Sequence, residues 1–145
     1  MKILLQKVLS ASVTVNNKVV SAIDSGYLLF VGIEKNDTKA QADYLVKKVA
    51  NFRVFTDEND KMNLSIQDVG GEILAVSQFT LAADLSRGNR PGFDTAARPE
   101  EAEPLYEYFV QKLKECGISV KTGIFQADMK VALVNDGPCT FLLKR

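Results

Sequence analysis

Gly26-Tyr27-Leu28-Leu29-Phe30-Val31-Gly32-Ile33 is a nearly unbroken apolar run. Its length and its aromatic and β-branched content favour a strand buried on both faces over a helix. Upstream, residues 3–8 and 12–15 read as two further strands, and Asn16-Asn17 is a plausible hairpin turn into Val19-Val20. Downstream, Thr38-Lys39-Ala40-Gln41 has the form of a capping box, in which a Thr hydroxyl and a Gln amide satisfy free helix N–H groups. The helix it starts carries Ala42, Leu45, Val46, Val49 and Phe52 on one face, with Lys47 and Lys48 turned to water. Asp57-Glu58-Asn59-Asp60-Lys61 is a polar turn, and residues 72–77 form another strand.

A long loop bearing Gly and Arg then runs to about Arg98. A second helix is marked by Ala102, Leu105, Tyr106, Phe109, Leu113 and Cys116, and is stopped by Gly117. Pro99 suits its first position, but Pro104 removes a hydrogen bond further in. Either the helix kinks there or it starts near Pro104. The tail supplies residues 119–120, 129–134 and 140–143 as strands. The expected architecture is α/β: a layered α/β/β single domain over residues 1–145, with mixed and antiparallel sheets and two main helices on one side.

Composition narrows the chemistry. The chain has 145 residues, 18 basic and 18 acidic side chains, two Cys and no His. Without imidazole it can build neither a Ser–His–Asp triad nor a Cys–His pair, nor ligate zinc through His. The balanced charge argues against a protein that coats nucleic acid, DNA included, although one structured RNA end remains compatible with it. No linker or internal repeat divides the chain. Nothing near the N-terminus reads as a signal peptide, no apolar run approaches membrane-spanning length, and the sparse Cys fit reduced thiols. A soluble, cytoplasmic protein with no membrane partner is expected.

Dinucleotide-binding, phosphate-loop and nucleophile-elbow signatures are absent. Cys116 falls on an apolar helical stripe, and Cys139 has no His to activate it. Two polar corners remain. Ser77-Gln78-Phe79-Thr80 ends an apolar strand, where rigid backbone can present N–H groups and hydroxyls; a strand exit with tied-back hydroxyls is the plainer alternative. Asn135-Asp136-Gly137-Pro138-Cys139-Thr140 interrupts two apolar strands, and by itself reads as an ordinary hairpin turn whose X–Pro bond can be cis.

Taken with Phe125-x-Ala127-x-Met129, and in this order, those segments resemble the D-aminoacyl-tRNA deacylases. Ala11-Ser12-Val13, Gly32-Ile33-Glu34-Lys35, Lys61-Met62-Asn63-Leu64, Leu81-Ala82-Ala83-Asp84 and Leu105-Tyr106-x-Tyr108-Phe109 extend the resemblance along the chain. The resemblance implies hydrolysis of the ester between a D-amino acid and tRNA, with glycyl-tRNA as a secondary substrate. It also implies a homodimer with sites at the subunit interface, and no metal or cofactor.

Under that resemblance Phe79 offers a backbone N–H to the oxyanion, while Ser77, Gln78 and Thr80 shape the pocket. A cis Gly137-Pro138 reaches into the partner's site, holds the substrate ammonium and leaves no room for an L side chain. Phe125 and Met129 line the adenosine pocket; core packing is their alternative. The ribose 2′-OH acting on water ranks above Thr80 as a nucleophile, because Thr needs an activating base. Arg87, Arg90 and Arg98 are candidates for acceptor phosphates or simply a solvated loop. Lys7 stands where the family usually has Arg against the Gly-Pro carbonyls, Cys139 where it has Val, and Gly92 where it has Ser. A non-catalytic RNA-binding module and a ligand-free structural dimer are the competing readings.

Overall fold

A computed structural model describes residues 1–145. In chain order it contains β1 (Lys2–Val15), β2 (Lys18–Ile23), β3 (Gly26–Gly32), α1 (Lys39–Ala50), β4 (Phe55–Thr56), β5 (Met62–Leu64), β6 (Glu72–Ser77), α2 (Pro99–Glu115), β7 (Ser119–Thr122) and β8 (Lys130–Lys144). A 3₁₀ turn, Phe79–Ala82, follows β6. The main sheet runs β2-β1-β3-β6-β7, with β8 along the other edge of β1; β4 and β5 form a separate small ribbon. β3–β6 and β6–β7 are parallel, and the remaining pairs are antiparallel.

The apolar run at 26–32 sits in mid-sheet, and its alternation divides the core. Tyr27, Leu29 and Val31 face α1 and α2, in a 24-residue cluster with Leu45, Val49, Phe109 and Leu113. Leu28 faces the opposite side, joining Val8, Val13, Ile23, Leu74 and Val76 in a cluster of seven. Burying a side chain of this size contributes roughly 1.5–3 kcal/mol. Both faces of β3 therefore work, as an apolar run without polar alternation requires. The second cluster is roofed by β2, whose Ser21 hydroxyl donates to Thr122 O at 2.8 Å and whose Ala22 O accepts from Lys121 Nζ at 2.7 Å. This is the expected mixed α/β architecture with two main helices.

Local signals behave as their chemistry dictates. Asn16 and Asn17 both have positive φ, 49° and 61°, which a tight primed hairpin turn requires. The Thr38–Gln41 capping box is formed, with the Thr38 N–H donating to Gln41 Oε1 at 2.9 Å. Ala42, Leu45, Val46 and Val49 are buried, while Lys47 and Lys48 are exposed.

Three expectations change, and one open choice is settled. The two N-terminal strands are one strand, because β8 pairs with β1 through the irregular stretch at Leu9. Residues 135–140 do not turn the chain back. Their flanks both pair with β1 in the same direction, Gln6 with Thr140 and Val8 with Asn135, so residues 136–139 bulge opposite Lys7 alone. Met129 lies just before β8 rather than in it. Finally, α2 starts at Pro99 and runs through Pro104, whose exposed position lets water serve the carbonyl that Pro leaves unpaired.

Candidate functional site

A cleft of about 690 Å³ opens at the C-terminal ends of β3 and β6, between α2 and the 123–129 segment. That is the usual end for a site beside parallel strands, since the strand exits present loops there. Its floor is Val31, Ile33 and Val76, and its walls include Ala102, Tyr106, Phe125 and Met129. The lining is mostly apolar, with Ser77, Gln78, Arg98, Gln126 and Asp128 as polar members. Such a cavity holds a flat or apolar group and orients it with few polar contacts.

The mouth is the turn at residues 77–82. The Gln78 N–H donates to Val31 O at 2.8 Å, extending the β3–β6 ladder by one bond before the chain curls. The Leu81 and Ala83 N–H groups then close onto Gln78 O and Thr80 O. Gly32 makes this possible: a Cβ there would lie 2.9 Å from Leu81 Cβ and 3.0 Å from Gln78 O. As the first residue of a 3₁₀ turn, Phe79 carries an N–H with no carbonyl earlier in the turn to receive it. Thr80 Oγ1 accepts from Gln78 Nε2, an amide unable to take up a proton.

Aromatic rings frame the cleft. Phe79, 58% exposed, tilts against Phe93 with centroids 5.0 Å apart. Tyr106 and Phe125 meet at 5.9 Å on the inner wall. The Tyr106 hydroxyl donates to Ala75 O at 2.9 Å, and burial pushes its pKa well up, so it stays a neutral donor. Phe93 and Tyr106 are lining residues that the sequence reading did not assign to the site. Tyr106 belongs to the apolar stripe of α2, and Phe93 gives only the weak signal of a lone ring in a polar loop. That loop is braced by reciprocal bonds between Asp84 and Gly92 of 2.8 and 3.0 Å.

Ser77, Gln78, Phe79, Phe125 and Met129 thus come together at one cleft, and Arg98 joins them at its rim. Thr80 points outward from the mouth, and Arg87 and Arg90 lie exposed on the distal loop. Gly137, Pro138 and Lys7 do not line the cleft. The Gly137–Pro138 peptide is cis and exposed on the β8 bulge. Lys7 Nζ pairs with Asp136 Oδ2 at 2.8 Å and stands 5.5 Å over the Phe55 ring. Cys139 is buried and Cys116 half-buried at the end of α2, both free thiols. No helix is long and apolar enough to cross a membrane.

Comparison with known proteins places this mixed sheet, its two helices and its cleft within a family. The model of the family described as D-Tyr-tRNA(Tyr) deacylase matches residues 4–144. A protein named D-aminoacyl-tRNA deacylase from Geotalea uraniireducens is 58% identical, over 99% of this chain and 93% of its own. Among solved structures, a c-Myc DNA unwinding element binding protein superposes with a TM-score of 0.94 at 40% identity, covering 100% and 99% of the two chains. A probable eukaryotic D-amino acid tRNA deacylase shares the fold at a TM-score of 0.82 and 17% identity, covering 98% and 97%. The chain belongs to the D-Tyr-tRNA(Tyr) deacylase family.

Proposed function

We propose that residues 1–145 act as one deacylase domain, hydrolysing the ester of D-aminoacyl-tRNA to free D-amino acid and tRNA. The observation carrying this reading is the turn at 77–82 set at the mouth of an apolar cleft, in a chain matched to the family over residues 4–144. Phe125 and Met129 hold the terminal adenosine against an aromatic and a thioether face. The ester then lies at the mouth, with the Phe79 N–H directed at the developing oxyanion and Ser77, Gln78 and Thr80 around it.

Thr80 flanks the mouth of the cleft in this reading and is not the nucleophile. Its hydroxyl accepts from an amide, and no base stands by to activate it. An aminoacyl ester is labile, so a positioned water activated by the ribose 2′-OH suffices. The reaction uses neither metal nor cofactor in this reading. Burial also keeps Tyr106 protonated, so the wall of the cleft supplies no phenolate base.

Chirality is read by a second subunit. Gly137 and Pro138 are exposed and outside their own chain's cleft, beside exposed Leu9 and Val134, 57% and 52% accessible. A homodimer that covers this apolar edge carries Gly137-Pro138 into the partner's cleft. There its carbonyls accept the α-ammonium, and the rigid cis unit leaves no space for an L side chain. Exclusion of this kind admits glycine, which makes glycyl-tRNA mischarged on tRNA-Ala a secondary substrate. Lys7 supports the bulge through Asp136. Arg98, at the rim, meets an acceptor phosphate, while Arg87 and Arg90 extend that contact outward. Editing of charged tRNA places the protein in the cytoplasm.

D-tyrosyl-tRNA should lose its ester far faster than L-tyrosyl-tRNA when incubated with the purified protein. Equal loss of both, or binding without turnover, would overturn the reading. The second outcome, with a matching affinity for DNA, would instead favour a nucleic-acid-binding role like that in the name of the 40%-identical relative. Equal numbers of basic and acidic residues weigh against that alternative. With D-tyrosyl-tRNA ending in 2′-deoxyadenosine the rate should fall about 10²–10⁴-fold, whereas Thr80→Ala should retain most activity. The opposite pair of results would make Thr80 the nucleophile.

A further inference from the structure

Asn135 is the residue that holds the β8 bulge in shape, and neither the ester chemistry nor the adenosine pocket employs it. In a regular ladder it would project from the sheet. Here its side-chain amide turns back into the loop. Nδ2 donates to Lys7 O at 3.0 Å and to Cys139 O at 3.3 Å. One amide nitrogen has two hydrogens, so it can serve both acceptors. One carbonyl lies on β1 and the other at the end of the bulge. Lys7 is the β1 residue that loses its β8 partner when residues 136–139 loop out, and Cys139 is the last bulged residue before pairing resumes at Thr140. The other end of the amide forms the floor: a Cβ built on Gly137 would come 3.0 Å from Asn135 Oδ1. Asp136 is tethered separately, by Lys7 Nζ. Gly137 and Pro138 are then the part of the bulge left pointing outward, both exposed.

We infer that Asn135 is a positioning residue for chiral selection: its amide ties the end of the 136–139 loop to β1 and fixes where Gly137-Pro138 stands in the partner's cleft. The inference rests on the reading of Gly137-Pro138 as the chirality filter. A side-chain clasp is needed because this loop has no backbone ladder of its own. Lys7 O and Cys139 O accept from a single side chain, and its removal unties the loop end from β1. The filter works by exclusion, so a loosened loop admits what it formerly rejected.

The test compares turnover of L- and D-tyrosyl-tRNA by Asn135→Asp, Asn135→Ala and Pro138→Gly. Asn135→Asp keeps the shape and replaces the donor by an acceptor facing two carbonyls. Both Asn135 variants should raise L-ester turnover and lower the D-to-L ratio by about tenfold or more. A rise in L turnover cannot come from partial unfolding, which lowers both rates together and leaves their ratio unchanged. Pro138→Gly, which removes the residue that keeps the Gly-Pro unit rigid, should lose discrimination as well. If Pro138→Gly loses it while both Asn135 variants keep the wild-type ratio, the positioning role is wrong and the filter stands. If Pro138→Gly itself keeps the wild-type ratio, the filter reading fails and the role of Asn135 falls with it.

Discussion

The two polar corners of this protein are built in opposite ways. The turn at 77–82 leaves a strand buried on both faces, and main-chain bonds hold it: Gln78 N–H to Val31 O, Leu81 N–H to Gln78 O, Ala83 N–H to Thr80 O. The bulge at 136–139 leaves an exposed strand on the outer edge of β1, and side chains hold it: the Asn135 amide and the Lys7–Asp136 pair. Behind the turn lies a cleft; the Gly137-Pro138 tip of the bulge faces solvent in a single chain. A group stabilising an oxyanion needs backbone precision, which central strands supply. In the proposed mechanism the group that excludes the wrong enantiomer reaches into another subunit, and an edge bulge can extend that far.

The comparison breaks outright if both corners serve one subunit's own site. Two variants, one disabling the cleft (Met129→Arg) and one disabling the bulge (Gly137→Val), should each be inactive or unselective alone. Mixed by co-refolding, they should recover roughly a quarter of wild-type selective activity, because a two-fold dimer of unlike subunits contains one intact composite site. No recovery in an assay of D-selective turnover would place both corners in the same subunit.

The next largest effect concerns the turn's dependence on close packing. Gly32→Ala puts a Cβ against Leu81 and Gln78 O, and should destabilise by about 1–3 kcal/mol in denaturant unfolding while depressing D-ester turnover. An unchanged midpoint and rate would show that the turn can shift without cost.

Tyr106→Phe should cost less, about 1 kcal/mol. Ala75 O also accepts from the Gly123 N–H at 3.0 Å, so loss of the phenol does not leave that carbonyl bare. A melting temperature far below this expectation would mean that the hydroxyl organises the cleft wall.

The smallest effect is on pH, and it falls on neither corner. The Asp24 N–H bonded to the Glu72 carboxylate, helped by Lys121 and Ser119, holds its pKa below the ordinary range. A folded-state pKa below the unfolded one gives stability that is present above the unfolded value and lost as pH falls through the folded value. Melting temperature should therefore hold from neutrality into mild acid and then decline. Glu72→Gln should flatten part of that decline, and an unchanged acid slope would remove Glu72 from it.

How much could be read in advance differs between these regions for a physical reason. The apolar run at 26–32, the Thr38–Gln41 cap and the Asn16-Asn17 turn were legible because each is set by neighbours within a few residues. Residues 77–82 were legible as a strand exit, and the resemblance supplied Phe125 and Met129 for a pocket, but not the walls that Tyr106 from α2 and Phe93 from the loop close from elsewhere in the chain. The bulge was read locally as a hairpin. Gly-Pro between apolar runs fits either geometry, and only pairing of both flanks with β1 decides between them.

By itself the sequence determined the strand-rich α/β class, the two helices, the absence of imidazole chemistry and, through ordered motifs, the resemblance that the full-length match bears out. Periodicity, capping and composition are short-range or summed properties, so they survive without coordinates. The tertiary structure decided that β1 is continuous, that Met129 lies off its strand, and that the Asn135 amide turns back onto Lys7 O and Cys139 O. Each of these depends on a partner more than 100 residues away or on the register between strands. A linear pattern does not encode that register until the sheet has formed.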